Sequence, residues 1–494
     1  MTLSVEDVRS LSPRLSVEFL EEQGVVPLGI RDGVLYVGAW KADVEPDVLY
    51  ALESLLGAPV EVQSVGEDAA RAAIRRAYGE SSAQALIDAT GPEGANVVED
   101  AHAIDDLRAL ANEAPVIRLV SMLLTEALEA RASDVHLEAY PDALRVRYRV
   151  DGVLQEAPSP PRSMAPAVIS RLKVMANLDI AERRTPQDGR IRLALQDRQV
   201  DVRVSTVPTL HGESVVLRLL DKESGTLELA ALGMSAPDLV RFEEVLSRPH
   251  GVVLATGPTG SGKTTTLYAA LQRLRTGREK ILTVEDPVEY QLAGIPQVPV
   301  NEKVGVTFAS ALRALLRQDP DVMLVGEIRD GETAEIATQA ALTGHLVLST
   351  LHTNDAAGAL TRLVDLGVAP FLVSATVEAV LAQRLVRAVC SVCVARVSAT
   401  DAERAALATS DLVDVSRGVG CGACRGSGYS GRTGVYELLV LDDAMRAAIT
   451  SGDGAPAVRS LARRLGVPTL RDDGARLVRE GVTTPEEVLR VCRS

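Results

Sequence analysis

The residues best suited to chemistry lie in the run Gly257-Pro258-Thr259-Gly260-Ser261-Gly262-Lys263-Thr264-Thr265, which opens as G-x-x-x-x-G-K-T. Glycines adopt backbone angles closed to other residues, so successive N–H groups can converge on phosphate oxygens. In such a loop Lys263 reaches the β- and γ-phosphates, and the Thr264 hydroxyl helps hold Mg²⁺. The flanks agree. An apolar run from Gly251 to Leu254 precedes the loop, and Thr265 to Leu271 has helical character. Strand, glycine-rich loop and helix in that order describe a cradle for a nucleoside triphosphate.

Further apolar strands are expected at Ile281–Val284, Val322–Val325 and Leu346–Ser349. Alternating with helices, they imply an α/β domain with a mostly parallel sheet covered on both faces, whose ligands bind at the carboxyl ends of the strands. Each of these strands delivers a candidate to that edge: Glu285, Glu327 and His352. A carboxylate near the γ-phosphate can take a proton from the attacking water, and another can hold Mg²⁺ through its water shell. Spacing does not decide which does which; Glu285 is taken as the base and Glu327 as the Mg²⁺-side group. His352 is placed to sense the γ-phosphate, whereas His345 suits the end of a helix.

Cys390-x-x-Cys393 and Cys421-x-x-Cys424 form a second constellation. Two such knuckles with no open position suit a structural tetrahedral Zn²⁺ site. The fifth cysteine, Cys492, stands alone.

Six segments are expected to position these groups. Residues 1–80 read as a small α/β docking domain: a helix at Leu15–Leu20, a hairpin of Val26–Ile30 and Val34–Gly38 turning at Arg31-Asp32-Gly33, then helices near Asp47–Leu56 and Asp68–Tyr78. Residues 81–106, acidic and rich in small residues, read as a flexible linker. Residues 107–222 open with a helix, Val116–Ala130, and then turn to strands. Leu144–Val150 alternates apolar and basic residues before an Asp151-Gly152 turn, and Ile191–Leu195 and Val200–Val204 flank Gln196–Gln199. That alternation sets Arg145, Arg147 and Arg149 on one face and Asp201, Arg203 and Ser205 on another; arginines so placed are ordinarily solvated surface. Residues 235–385 hold the phosphate loop, 386–430 form the tetracysteine insert, and 431–494 look helical and polar.

Composition narrows the function. The formal net charge of −15 and aromatic content of 3% oppose a mainly electrostatic or stacking grip on nucleic acid. No stretch approaches the roughly 18 apolar residues of a membrane span, and the first residues lack the features of a signal peptide. A cytoplasmic protein with at most peripheral membrane contact is expected.

Together the motifs resemble the secretion ATPases of type II secretion and type IV pilus assembly, the GspE/PilB kind. The resemblance runs from about Ala114 to Leu439. It includes Ala132-Ser133-Asp134-Val135-His136-Leu137-Glu138, Thr185 to Arg190, Val207-Pro208-Thr209 with Gly212-Glu213, and the phosphate loop. It continues through Thr283 to Tyr290, Leu316 to Asp321, Leu324 to Asp330, and Thr343 to Asn354. It implies a RecA-like P-loop NTPase domain behind a PAS-like α+β domain, with ATP, Mg²⁺ and Zn²⁺ as ligands. Glu285 then lies in an aspartate box, Asp321 to Glu327 in a variant Walker B, and His345 to His352 in a histidine box. The resemblance makes Arg203 and Arg218 candidates for the γ-phosphate of a neighbouring subunit, with Arg190 behind them. Arg313, Arg317, Arg329 and Arg432 become lesser structural or interface candidates. It further implies a homo-hexamer at the cytoplasmic face of the inner membrane that assembles pilin-like subunits, and the tetracysteine insert speaks against a retraction motor. Residues 1–80 match only part of the family's N-terminal modules. One short docking domain, meeting an inner-membrane platform protein, suits type II secretion better than pilus assembly.

Overall fold

The computed structural model describes residues 110–195, 198–221 and 228–492, together with 20, 23–31, 34–41, 44, 46, 48–49, 52–53, 59–67 and 70. The expected linker 81–106, and all or part of the helices expected at 15–20, 47–56 and 68–78 and of the turns at 31–33 and 196–199, lie outside these residues. The chain divides into two units, Met1–Asp221 and Lys222–Ser494. Among the described residues no helix is long and apolar enough to cross a membrane.

In the first unit β1 (Val25–Arg31) pairs antiparallel with β2 (Val34–Ala39), as the hairpin pattern predicts. A third strand, β3 (Val60–Ser64), joins β2 in parallel. Its alternation, Val60-Glu61-Val62-Gln63-Ser64, is too polar to stand out from a loop in the sequence. A six-stranded sheet follows, formed by β4 (Ala132–Ala139), β5 (Leu144–Val150), β6 (Val153–Glu156), β7 (Gln187–Leu195), β8 (Arg198–Thr209) and β9 (Gly212–Asp221). Its order is β6-β5-β4-β9-β8-β7, and every pair is antiparallel. One face buries Val135, Val146, Val202 and Val215 beneath helices α1 (Ala114–Glu129) and α2 (Ala165–Met175). Alternation sends the arginines to the other face, since the side-chain period of a strand is two.

The second unit is built on a seven-stranded sheet. Its members are β10 (Gly251–Thr256), β11 (Ile281–Glu285), β12 (Gln297–Pro299), β13 (Val322–Val325), β14 (Leu346–Leu351), β15 (Val377–Val389) and, beyond the two-stranded β16 (Val394–Ser398) and β17 (Asp414–Gly418), β18 (Tyr429–Val440). The order is β12-β11-β13-β14-β10-β15-β18, parallel except for the last pair. Val252 and Leu254 enter one core and Val253 and Ala255 another, so β10 is buried on both faces and reads as an unbroken apolar run. The stretch from 431, expected to be helical, instead begins with the rest of β18. Helices follow at Asp443–Thr450, Ala455–Arg464, Leu470–Arg479 and Pro485–Val491.

Candidate active site

The loop after β10 leads into helix α3 (Lys263–Leu274), so the sheet ends in the expected cradle. Gly262 has φ of 86°, and a Cβ there would lie 2.8 Å from the Gln383 side-chain nitrogen. A Cβ on Gly257 would meet the Gln383 carbonyl at 2.5 Å and Ser261 Oγ at 2.6 Å. Both positions therefore need glycine for their positive φ, 150° at Gly257 and 86° at Gly262, and Gly257 for space as well. Pro258, Thr259 and Gly260 form an exposed crown, while Ser261 and Lys263 are buried and Thr264 and Thr265 half-buried.

Lys263 Nζ donates to the carbonyls of Gly257 at 2.8 Å and Pro258 at 3.1 Å, holding the loop closed by its own cation. Burial brings its ammonium down to about 8, with the Glu327 carboxylate opposing and the Arg384 guanidinium adding to that fall. Ser261 Oγ is buried with no hydrogen-bond partner. An orphaned hydroxyl, a buried cation and a glycine cradle at a helix start fit a bound phosphate chain.

The carboxyl ends of the neighbouring strands bring Glu285, Glu327 and His352 to the same edge. Glu285 is 3% exposed. Its oxygens accept from Tyr268 of α3, from Thr283 Oγ1 at 2.6 Å and from Gln297 Nε2 at 3.0 Å. Glu327 pairs with Arg329 at 2.6 Å and has His352 Nε2 at 3.6 Å. The His352 imidazole is shifted down by burial and by the Lys263 charge, against the pull of Glu327. His345 stands apart: Nδ1 lies 2.9 Å from the Ala340 carbonyl, at the end of helix α4 (Gly331–Leu342).

Four contributors escaped the sequence analysis. Tyr268 and Gln297 hold Glu285, while Gln383 and Arg384 of β15 line the base of the cradle; Gln383 accepts from Thr266 Oγ1 at 2.8 Å. No motif marks Gln383 and Arg384, because only the parallel pairing of β10 with β15 brings them alongside the loop.

Of the lesser arginines in this unit, Arg313 pairs with Glu332 at 2.5 Å, Arg317 donates to the Arg313 carbonyl at 3.0 Å, and Arg432 lies opposite Arg387 in the β15–β18 ladder.

In the first unit the register aligns Arg149, Asp134, Arg218, Arg203 and Arg190 across β5, β4, β9, β8 and β7. Asp134 is 6% exposed and accepts from Arg218 Nε at 3.0 Å. Arg218, Arg203 and Arg190 thus stand as neighbours in one row, with Asp134 beside Arg218. Arg147 is clamped by both oxygens of Glu138, and Arg145 lies over the Tyr140 ring.

The four cysteine sulfurs lie within 4.8 Å of one another. The pairs Cys390–Cys421, Cys393–Cys424 and Cys421–Cys424 are 3.9, 3.8 and 3.7 Å apart. A tetrahedral ZnS₄ centre with Zn–S of about 2.3 Å has an edge near 3.8 Å, so the donor set fits zinc. The N–H groups of Cys421 and Gly428 point at Cys424 Sγ, each at 3.2 Å, as suits a thiolate.

Comparison with known proteins extends the picture. Residues 109–490 match the family described as Type II/IV secretion system protein, and residues 3–84 match the MshEN domain. The N-terminal stretch, which its residues tied only in part to such modules, thus matches one over most of its length. The chain is 50% identical over 486 residues to the Type II secretion system protein E of Pseudomonas aeruginosa, covering 97% of this chain and 96% of that one. It is 52% identical over 392 residues to the Type II secretion system ATPase E of Vibrio cholerae, covering 79% of this chain and 78% of that protein. Among solved structures, the pilus retraction motor PilT with bound ADP superposes with a TM-score of 0.52 at 25% identity, covering 76% of this chain and 97% of that one. The Legionella pneumophila ATPase DotB shares the fold at 21% identity and a TM-score of 0.55, over 75% of this chain and 94% of that one.

Proposed function

The chain belongs to the family of type II/IV secretion system proteins, and on that premise we propose that it hydrolyses ATP to drive pseudopilus assembly and protein export by a type II secretion system. The observation that carries this reading is the convergence of Lys263, Glu327 and His352 at the ends of β10, β13 and β14. The names of its half-identical relatives support type II secretion over pilus assembly. The ADP carried by PilT, whose fold it shares, supports the nucleotide.

In this mechanism the attacking water's oxygen bonds to the γ-phosphorus while the bond to the β,γ-bridging oxygen breaks, releasing ADP and phosphate. Lys263 exchanges its loop carbonyls for β- and γ-oxygens and neutralises the charge that develops there. The Thr264 hydroxyl would hold Mg²⁺, which supplies further neutralisation of the phosphates. The hydrogen bonding of the two carboxylates favours the opposite assignment from the one taken on sequence. Glu285 has both oxygens engaged by buried donors, whereas Glu327 is the more exposed and lies beside Lys263 and His352. Glu327 takes the water's proton, and Glu285, held by Tyr268 and Gln297, would be the carboxylate on the Mg²⁺ side.

Arg203 and Arg218 would reach the γ-phosphate of a neighbouring subunit in a homo-hexamer. The tetracysteine module holds structural Zn²⁺, and the N-terminal domain docks the ring to a platform protein at the cytoplasmic face of the inner membrane. The test is ATPase activity against protein concentration for the wild type and Arg203→Ala. Specific activity that climbs with concentration and collapses in the variant supports a shared site. Activity independent of both removes the shared site, and absence of turnover at every concentration removes the ATPase reading itself.

A further inference from the structure

The second cation at the base of the phosphate cradle has no part in the mechanism above. β10 and β15 are parallel neighbours with Thr256 opposite Ala382, so the chain that leaves β10 for the loop runs beside Gln383 and Arg384. The Arg384 guanidinium lies 3.2 Å, through Nη1, from the position a Cβ on Gly257 would take. It donates to the Gln383 carbonyl at 3.3 Å, the Asn354 carbonyl at 3.1 Å and Asn354 Oδ1 at 3.3 Å. All three acceptors are neutral.

The acids that feel its charge are Cys492, Asp355 and Glu437; burial pushes the Cys492 thiol up and so keeps it neutral, and both carboxylates are engaged elsewhere. Asp355 pairs with Arg459 at 2.5 Å and caps helix α5 (Ala356–Asp365) through the Gly358 N–H at 2.7 Å. Glu437 accepts from the Ala356 N–H at 3.0 Å. Among the described residues, Arg384 is therefore a half-buried cation with no carboxylate hydrogen-bonded to it. It is also close enough to Lys263 for the two charges to repel, and burial pushes its own guanidinium down. Glu327, the carboxylate acting on Lys263 here, also pairs with Arg329 through Oε1. A buried ammonium beside a half-buried guanidinium whose hydrogen-bond acceptors are all neutral leaves a positive potential that a phosphate chain satisfies, and a planar guanidinium fork matches phosphate oxygens.

We propose that Arg384 is a second phosphate-binding cation of the nucleotide site, supplied by the same subunit as Lys263. The proposal rests on the nucleotide reading of the loop, and it separates Arg384 from the arginines that a neighbouring subunit would bring.

The test is calorimetric titration of the full-length protein with Mg·ADP and with Mg·ATP, for the wild type, Arg384→Gln, Arg384→Lys and Lys263→Ala. Gln can still donate to the Asn354 oxygens but carries no charge, so it separates a phosphate contact from a purely structural clamp. The expected result is an affinity loss of about tenfold or more in Arg384→Gln, at the scale of a hydrogen bond to a charged group. Partial recovery is expected in Arg384→Lys, with a nucleotide-free melting temperature within about 2 °C of wild type in both. Wild-type affinity in Arg384→Gln, beside lost binding in Lys263→Ala, overturns the proposal and leaves the nucleotide site standing. A wild-type protein that binds neither nucleotide overturns both. If Gln lowers the nucleotide-free melting point further, Arg384→Lys decides: a loss of about three- to tenfold at wild-type stability supports the forked contact, and undiminished affinity overturns it.

Discussion

The two large sheets gather charge in different ways. In the parallel sheet of the second unit the strands themselves are apolar, and Lys263, Glu285, Glu327 and His352 sit in or just beyond their carboxyl ends. In the antiparallel sheet of the first unit the charges sit inside the strands, and register alone lines up Arg190, Arg203 and Arg218 with Asp134. The first arrangement makes a recessed site whose groups hold one another. The second makes an open row with one buried anchor. A recess can bind and orient a substrate by itself, while a row of arginines across strands presents its charge along the face of a sheet. If one site is split between subunits, these are the properties its halves require.

The contrast can be broken most forcefully at the recess. Lys263→Ala should remove nucleotide binding and lower ATPase activity by at least about 10²- to 10³-fold, the cost of losing a group that meets developing charge. Filter binding and phosphate release measure both. Retained turnover would show that the recess is not the reaction centre. Next in size is the pair of carboxylates. Glu327→Gln should abolish turnover yet keep Mg·ATP bound, whereas Glu285→Gln should also weaken the Mg²⁺ dependence of binding. Identical profiles for the two variants would remove the division of labour drawn here.

The open row should respond more mildly. Asp134→Asn leaves Arg218 without its buried anchor and should lower kcat about tenfold with KM nearly unchanged, because the groups that bind the nucleotide lie in the other unit. Restoration by Asp134→Glu, with an unaltered melting temperature, distinguishes positioning from folding.

The recess should also respond to pH. Lys263 titrates near 8 in the folded chain, against 10.5 in its absence. Its charged form is thus disfavoured by folding below 8, and that cost disappears as pH rises past 10.5. Nucleotide affinity has the opposite sign. It should fall as pH climbs through about 8, approaching tenfold per unit, and Lys263→Arg should remove that limb.

How much of this was legible in the residues follows from the same contrast. The phosphate loop, its strand and its helix were readable because one short segment carries glycine angles, apolar burial and helix start together. Glu285, Glu327 and His352 were readable because they end apolar runs. β15 and β18 were not. Val377–Val389 and Tyr429–Val440 pair only with partners distant in sequence or across the tetracysteine module, and their apolar residues read equally well as helix. Gln383 and Arg384 were hidden for the same reason, since nothing local places them beside Gly257. The arginine row was visible as separate alternating strands, but its order depends on register. The buried role of Asp134 could not be separated from an ordinary surface carboxylate.

β15 has a mechanical consequence. Its thirteen residues run without interruption from Val377 in the core, past Gln383 beneath the phosphate loop, to Val389, whose neighbour is the first cysteine. At about 3.3 Å per residue this is a rod of roughly 40 Å, paired with β10 and β18 along its first half and beyond it with β18, where Val482, Thr483 and Glu487 also bond to it. Such a member resists stretching far better than bending. Its far end is tied by the Val389 N–H to the Val482 carbonyl and by Arg387 to Glu487, so the floor of the phosphate loop and the first cysteine knuckle are carried on one stiff member.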